Sequence, residues 1–289
     1  MAGPLHFEAP TALQYFAALV ADDASLSVVE AAASLAQDAD PGLDPQAVLE
    51  QIDTLADTLR RRLPADAGPV HKLRMLNRYF FDELGFAGNV NDYYDPRNSY
   101  LPEVLRTRRG IPITLGLLYV ELASQLGLPA AGVSFPGHFL VKLKLPRGEV
   151  VLDPFSGRSL SREELEERLV PYRQHHGLVG DYDMPLGLFL QAAAPRDVVA
   201  RLLRNLKEIH RDAADRCRLL AVLDRLVILL PEDWIERRDR GLVHAELGHD
   251  AAAAEDLSEY LIHCPDAEDA PTVRARLVQL RGRRRPRLH

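Results

Sequence analysis

The stretch that most restricts what this chain can become runs from Pro112 to Phe155. Pro112 to Leu126, read with a helical period, is apolar on more than one face, and such a helix belongs in the middle of a domain. Gly127 stops it. Ala130 to Leu145 then reads as two strand pieces around Pro136-Gly137, and Glu149 to Asp153 as a short strand rich in Val and Leu. Pro146-Arg147-Gly148 supplies a hairpin turn between them. A buried helix beside a small antiparallel sheet is the expected centre of the fold.

Two polar residues lie in that apolar block. His138 and Asp153 are 15 residues apart across the hairpin, so neighbouring antiparallel strands bring them within reach if the register allows. A His oriented by an Asp can act as a base, and a thiol at a helix start has a lowered pKa. A buried His–Asp pair with purely structural duties is equally consistent with the spacing. No cysteine stands near the helix start. Cys217 and Cys264 both fall in expected helices near the C-terminus, away from any setting that would activate a thiol.

Asn89 to Arg109 leads into the helix. It is rich in turn formers yet carries Tyr93, Tyr94, Tyr100 and Leu101, which call for burial. Long loops with buried aromatics are commonly functional or cover something. The candidate binding cleft is Tyr94, Asp95, Asn98, Ser99, Arg108, Arg109 and Pro112. The plainer reading is a self-capped loop, with Asp95-Pro96 and Asn98-Ser99 in Asx-type turns and Arg108 or Arg109 neutralising a local carboxylate. His175-His176 has no third ligand nearby, so no metal and no cofactor are expected.

The rest of the chain reads as helices. Thr11 can cap one through Val20. Leu26, Val29, Ala33 and Ala36 form a stripe, and Asp44-Pro45 opens a helix with Val48, Ile52, Leu55 and Leu59 inward. Residues 70 to 84 give one more, with Leu73, Leu76, Tyr79, Phe80 and Leu84 inward. Ser161 begins a capping box, Val170 to Leu190 looks irregular, and helices run from Arg196 onward. There Pro231 and Pro265 are 34 residues apart, and at that offset His210 matches His244, Leu223 matches Leu257, and Val227 matches Leu261. A 34-residue period resembles the tetratricopeptide repeat, with Lys207 standing where the repeat usually has Gly. The close-packing positions are Gly241 and Ala251 to Ala254.

Across 289 residues, 47% hydrophobic and 27% charged, the formal net charge is −7. That balance gives no support to a general nucleic-acid or membrane-surface role. The exception is 270–289, with seven Arg and no acid, where RNA or an acidic partner could touch; a solvated, frayed end is the simpler expectation. The opening MAGPLHFEAP has no basic n-region, charges break every long apolar run, and two cysteines argue for a reducing compartment. A soluble, cytoplasmic protein is expected.

The block from Tyr93, Y-x-D-P-x-N-S-Y-L-x-x-V-L-x-x-R-x-G-I-P-I-T-L, followed by P-G-H-F-L and D-P-F, resembles the SirB-type transglutaminase-like proteins of bacteria. These join a transglutaminase-like core to tetratricopeptide-like repeats, and a similar core occurs in a eukaryotic F-box protein. The resemblance implies an α+β, helix-rich, papain-like fold. It divides the chain into a helical N-terminal subdomain (1–90), the core (91–190) and helical repeats (191–289). It puts His138 and Asp153 on the His and Asp of the superfamily triad and Pro112 on the Cys, and it brings no settled activity with it. A pyrrolidine ring cannot attack a carbonyl, and the nearest hydroxyl is Thr114. The expectation is a non-catalytic protein that binds a protein or peptide partner in a regulatory or scaffold role. The alternatives are a hydrolase or acyltransferase using Thr114 with His138 and Asp153, and a purely structural subunit.

Overall fold

The fold is α+β and helix-rich; the computed structural model describes residues 10–178, 180 and 184–283. Two compact units form. One is Leu26–Leu202; the other joins residues 10–25 to the chain from Leu203 onward. Helix α1 (Ala12–Leu19), capped by Thr11, belongs to the second unit and is described with it.

In the first unit, Ser27 caps α2 (Val28–Ser34). Asp44 caps α3 (Pro45–Arg60), with Pro at its first position, and Val48, Ile52, Ala56 and Leu59 are buried. Helix α4 (Pro69–Asn77) does not continue as α-helix to residue 84; it widens into a π-helical turn over Arg78–Glu83. That turn delivers Phe80 and Phe81 to Phe86 and Tyr119 in an aromatic cluster. The segment expected to be a loop up to Arg109 holds a helix, α5 (Leu101–Thr107), with Pro102 in its first turn. Helix α6 (Pro112–Gln125) is buried from Pro112 through Tyr119, as its all-round apolar surface requires. The two-residue strands β1 (Ala87–Gly88), before α5, and β2 (Arg109–Gly110), between α5 and α6, pair in parallel.

The main sheet is antiparallel, in the order β3 (Ala130–Val133), β4 (Leu140–Leu145), β5 (Gly148–Asp153), β6 (Arg158–Leu160). Val141 lies opposite Leu152, so β5 ends with Asp153 beside the start of β4. One face, through Val133, Leu140, Val151 and Leu160, packs with Leu165 and Leu169 of α7 (Arg162–His175) and with Leu186 of α8 (Leu186–Phe189). The other face meets α6. Gly116 and Gly132 press on adjoining parts of the Phe139 ring: a β-carbon on Gly116 would lie 2.8 Å from it, and one on Gly132 only 2.4 Å. Helix α7 keeps its Ser161–Glu164 capping box and continues through Pro171, so the irregular stretch expected from Val170 does not begin until after His175.

Helix α9 (Pro195–Asp212) carries the chain from one unit into the other. The second unit is built from α10 (Arg216–Leu229), α11 (Trp234–Glu246), α12 (Asp250–His263) and α13 (Ala270–Arg283). Gly241 lies against Leu257, Leu223 and Leu257 are fully buried, and Leu261 is partly buried. Cys264 falls just past the end of α12, and Cys217 is exposed on α10. Phe16 of α1 is buried beneath the Arg225 guanidinium. The expected frayed basic end is, in its described part, a packed helix: Val273, Leu277 and Leu280 are buried, and Arg274 donates to the Pro265 carbonyl. Arg284, Arg285 and Arg287 lie outside the described residues. No described helix is long and apolar enough to cross a membrane.

At the repeat position where a small residue is usual, Lys207 is buried, with its ammonium 2.5 Å from Glu236 and 2.6 Å from Asp239. Burial alone would raise the Asp239 pKa, but Lys207 and Arg238 together hold it below the usual carboxylate value. Replacing Lys207 by Met should destabilise the protein by about 2 kcal/mol, because it removes the buried cation that Glu236 and Asp239 share and leaves them only Arg204, Arg211 and Arg238. Urea denaturation of both proteins measures this. In the first unit, Gly132→Ala should lower stability by about 1–2 kcal/mol. Overpacking against Phe139, about 1–3 kcal/mol, outweighs the smaller gain from stiffening the unfolded chain. Adding Phe139→Leu should recover part of that loss.

Candidate functional site

Helix α6 begins at Pro112, whose fixed φ and missing N–H suit a first helical position. Thr114, two residues on, is fully buried. Its hydroxyl accepts from the Ile111 N–H at 3.2 Å and lies 2.8 Å from the Asn98 carbonyl oxygen, to which it donates. The one proton that a nucleophile would surrender is therefore already engaged in fastening the helix start to the preceding loop.

His138 sits on the turn before β4, with its N–H donating to the Phe135 carbonyl at 3.0 Å. Its Nε2 is 2.8 Å from Oδ1 of Asp153, the last residue of β5. The Phe155 N–H also donates to that oxygen at 3.0 Å, and Arg168 of α7 approaches Oδ2 at 3.5 Å. The Asp153 side chain is only 6% exposed. Burial alone would raise its pKa. The hydrogen bond and charge of His138, the Phe155 N–H and Arg168 outweigh burial and lower it to about 2.

The loop before α6 is held by side chains bonding to its own backbone. Asn98 donates to the carbonyls of Asp92 and Tyr93 and accepts from Asn89. Asp95 caps the 3-10 turn Pro96–Ser99 and pairs with Arg97 at 2.6 Å, and that hydrogen bond lowers its pKa. Ser99 is fully buried, and its Oγ has no partner among the described residues. Tyr100 and Leu101 are buried as expected, but Tyr93 and Tyr94 are 42% and 74% exposed. The Tyr93 ring lies 5.3 Å from Tyr94 and 5.9 Å from Phe155. Phe155 is seated on Gly88, where a β-carbon would come within 2.4 Å of its ring.

Among the described residues, Arg108 and Arg109 pair with no carboxylate. Arg108, in left-handed backbone with φ of 59°, closes α5 and lies over the Phe86 ring; burial lowers its pKa. Arg109 donates to the carbonyls of Gly85 and Arg108. Geometry thus joins His138 to Asp153, and Thr114 to Asn98, while Tyr94 and Arg109 face solvent. Sequence reasoning missed Arg168 and Arg201. Arg201 donates to the Phe135 carbonyl from α9, and no local pattern ties it to the His138 turn.

A helix start packed against a strand preceded by His, with Asp on the next strand, is the arrangement on which comparison with known proteins bears directly. Residues 46–204 match the transglutaminase-like superfamily, and residues 206–278 match the tetratricopeptide repeat. The chain belongs to the transglutaminase-like superfamily. It also belongs with the proteins called UPF0162. It is 39% identical to the one from Xylella fastidiosa, over 91% of this chain and 93% of that protein. It is 30% identical to the one from Pseudomonas aeruginosa, over 90% and 92%. The one from Vibrio cholerae is 31% identical over 70% and 73%. No solved structure matches the chain.

The linkage between this transglutaminase-like core and pH follows from Asp153. Its pKa falls from 3.8 to about 2 on folding, so its contribution is fully present above pH 3.8 and is lost as pH falls through 2. The shift corresponds to roughly 2 kcal/mol. Asp153→Asn should remove that slope: stability measured by urea denaturation between pH 5 and pH 2 should fall less steeply than in the wild type.

Proposed function

We propose that the protein is a non-catalytic transglutaminase-like protein that acts by binding a protein or peptide partner in a regulatory or scaffold role. The carrying observation is Pro112. The superfamily likeness puts the nucleophile at the start of α6, and the residue there has no transferable proton or lone pair to attack with. Thr114, the one hydroxyl close in sequence, is buried and committed to the Asn98 carbonyl. The tetratricopeptide match over 206–278 supports binding, since such repeats generally serve protein–protein contacts.

Within the superfamily, the Tyr93–Phe155 motifs support the narrower placement among SirB-type proteins. Two free cysteines support work in the reducing cytoplasm. The His138–Asp153 pair is then a structural and ligand-facing element. It holds the turn before β4 by a charge-assisted hydrogen bond.

The test is a screen for amine incorporation and peptide hydrolysis with wild type, His138→Ala and Thr114→Ala. No turnover above background is expected from any of them. His138→Ala should lower stability by about 1–3 kcal/mol by leaving Asp153 short of a partner. Turnover by the wild type that disappears in both folded variants would sink the proposal and establish Thr114 chemistry.

A further inference from the structure

Arg201 has a setting unlike that of the other arginines around the sheet. It is partly buried on α9, within the Leu26–Leu202 unit. Its guanidinium donates to the Phe135 carbonyl at 3.2 Å and lies 5.8 Å from the Phe139 ring. That same carbonyl accepts the His138 N–H, so Arg201 is tied to the turn that carries the imidazole. Among the described residues no carboxylate pairs with Arg201. Asp153, the buried acid of this region, is taken by His138, the Phe155 N–H and Arg168.

The Tyr93 phenol, neutral at pH 7, shares this neighbourhood through Phe155, whose N–H binds the Asp153 that holds His138, and Tyr93 and Arg201 perturb each other. Burial pushes the Arg201 pKa down, with Tyr93 opposing; it pushes the Tyr93 pKa up, with Tyr94 adding and Arg201 opposing. Both heads are thus partly stripped of water. Tyr93 leans on Phe155, and Tyr94 stands exposed beside it. The result is a guanidinium with no carboxylate partner among the described residues, bordered by a phenol and by exposed aromatic surface. A partly desolvated cation without a counter-ion is unfavourable until an anion reaches it, and Arg and Tyr are the residues that most often dominate binding interfaces.

We propose that Arg201 and Tyr93, beside the His138 turn, receive the carboxylate of an acidic peptide segment, with Tyr94 and Phe155 covering the apolar residue next to that acid. This rests on the reading of the protein as a peptide or protein binder. A carboxylate is favoured over a phosphate by charge. One guanidinium is available, because Arg168 is held by Asp153, and a phosphate carrying nearly two charges calls for more than one. The planar fork of Arg201, with one nitrogen on the Phe135 carbonyl, retains donors for an oxygen acceptor.

The experiment uses the full chain and three N-acetylated, C-amidated peptide pools. They have randomised apolar and small residues around one central position fixed as Glu, Gln or phosphoserine. Binding is read by fluorescence anisotropy for wild type, Arg201→Gln, Arg201→Lys and Tyr93→Phe, and each peptide is followed by mass spectrometry. The Glu pool should bind wild type about 10-fold more tightly than the Gln pool, the size expected for one charged hydrogen bond. Arg201→Gln, which keeps a donor for Phe135, should abolish that preference without weakening the Gln pool. Arg201→Lys should restore part of it, and Tyr93→Phe should reduce it. Equal binding of Glu and Gln pools, no binding of the Glu pool, or preference for phosphoserine would each overturn the assignment. Peptide cleavage with an intact Glu preference would sink the non-catalytic reading and leave Arg201 in its role. Absence of preference without cleavage would do the reverse.

Discussion

The ring of Phe139 is the contact on which the candidate site depends. It is packed against both Gly116 of α6 and Gly132 of β3, two positions where any side chain would collide with it. His138 is the preceding residue, so its position is inherited from a ring that has no room to move. The antiparallel register then does the rest: with Val141 opposite Leu152, the chain just before β4 reaches Asp153 at the end of β5. Helix, turn and two strands are fixed by apolar packing, and the polar pair is carried along.

The electrostatics of the region follow from one carboxylate being over-supplied. Asp153 collects His138, a backbone N–H and Arg168, which keeps it charged far below neutrality. Among the described residues that leaves Arg201 without an acid. At the other side of the arrangement, Pro112 is a favourable residue for a helix start. The His–Asp pair has structural bonds of its own, which is what the proposed non-catalytic role requires of it.

Much of this was legible in the sequence, wherever local chemistry decides. Caps at Thr11, Asp44 and Ser161, the all-round apolar α6, the hairpin after Leu145 and the 34-residue offset each depend on neighbours along the chain. Errors arose where a local rule was applied too strictly. Turn formers around Asp95 hid the helix at Leu101–Thr107, although Pro102 marks its first turn as Pro45 marks that of α3. The chain from Val170 was expected to be irregular, yet α7 runs on through Pro171 to His175. Tyr93 and Tyr94 were expected to be buried because they are aromatic, but the loop bonds that hold them use Asn98 and the backbone and leave the rings outside. Arg168 and Arg201 were out of reach for a different reason. Their partners lie 15 and 66 residues away, and nothing in a single sequence signals such pairings.

Lys207 carries a consequence for how such a repeat can change over time. It occupies the position that is Gly241 in the next repeat, where α11 and α12 pack through the absence of a side chain. Lys207 instead reaches across to α11 of the next repeat, where Glu236 and Asp239 face its ammonium. A glycine at 207 alone would remove the one cation that these two acids share, leaving Glu236 to Arg204 and Asp239 to Arg211 and Arg238. Substitutions at 207, 236 and 239 are therefore coupled in their effects, and averaging sequences position by position would lose that coupling.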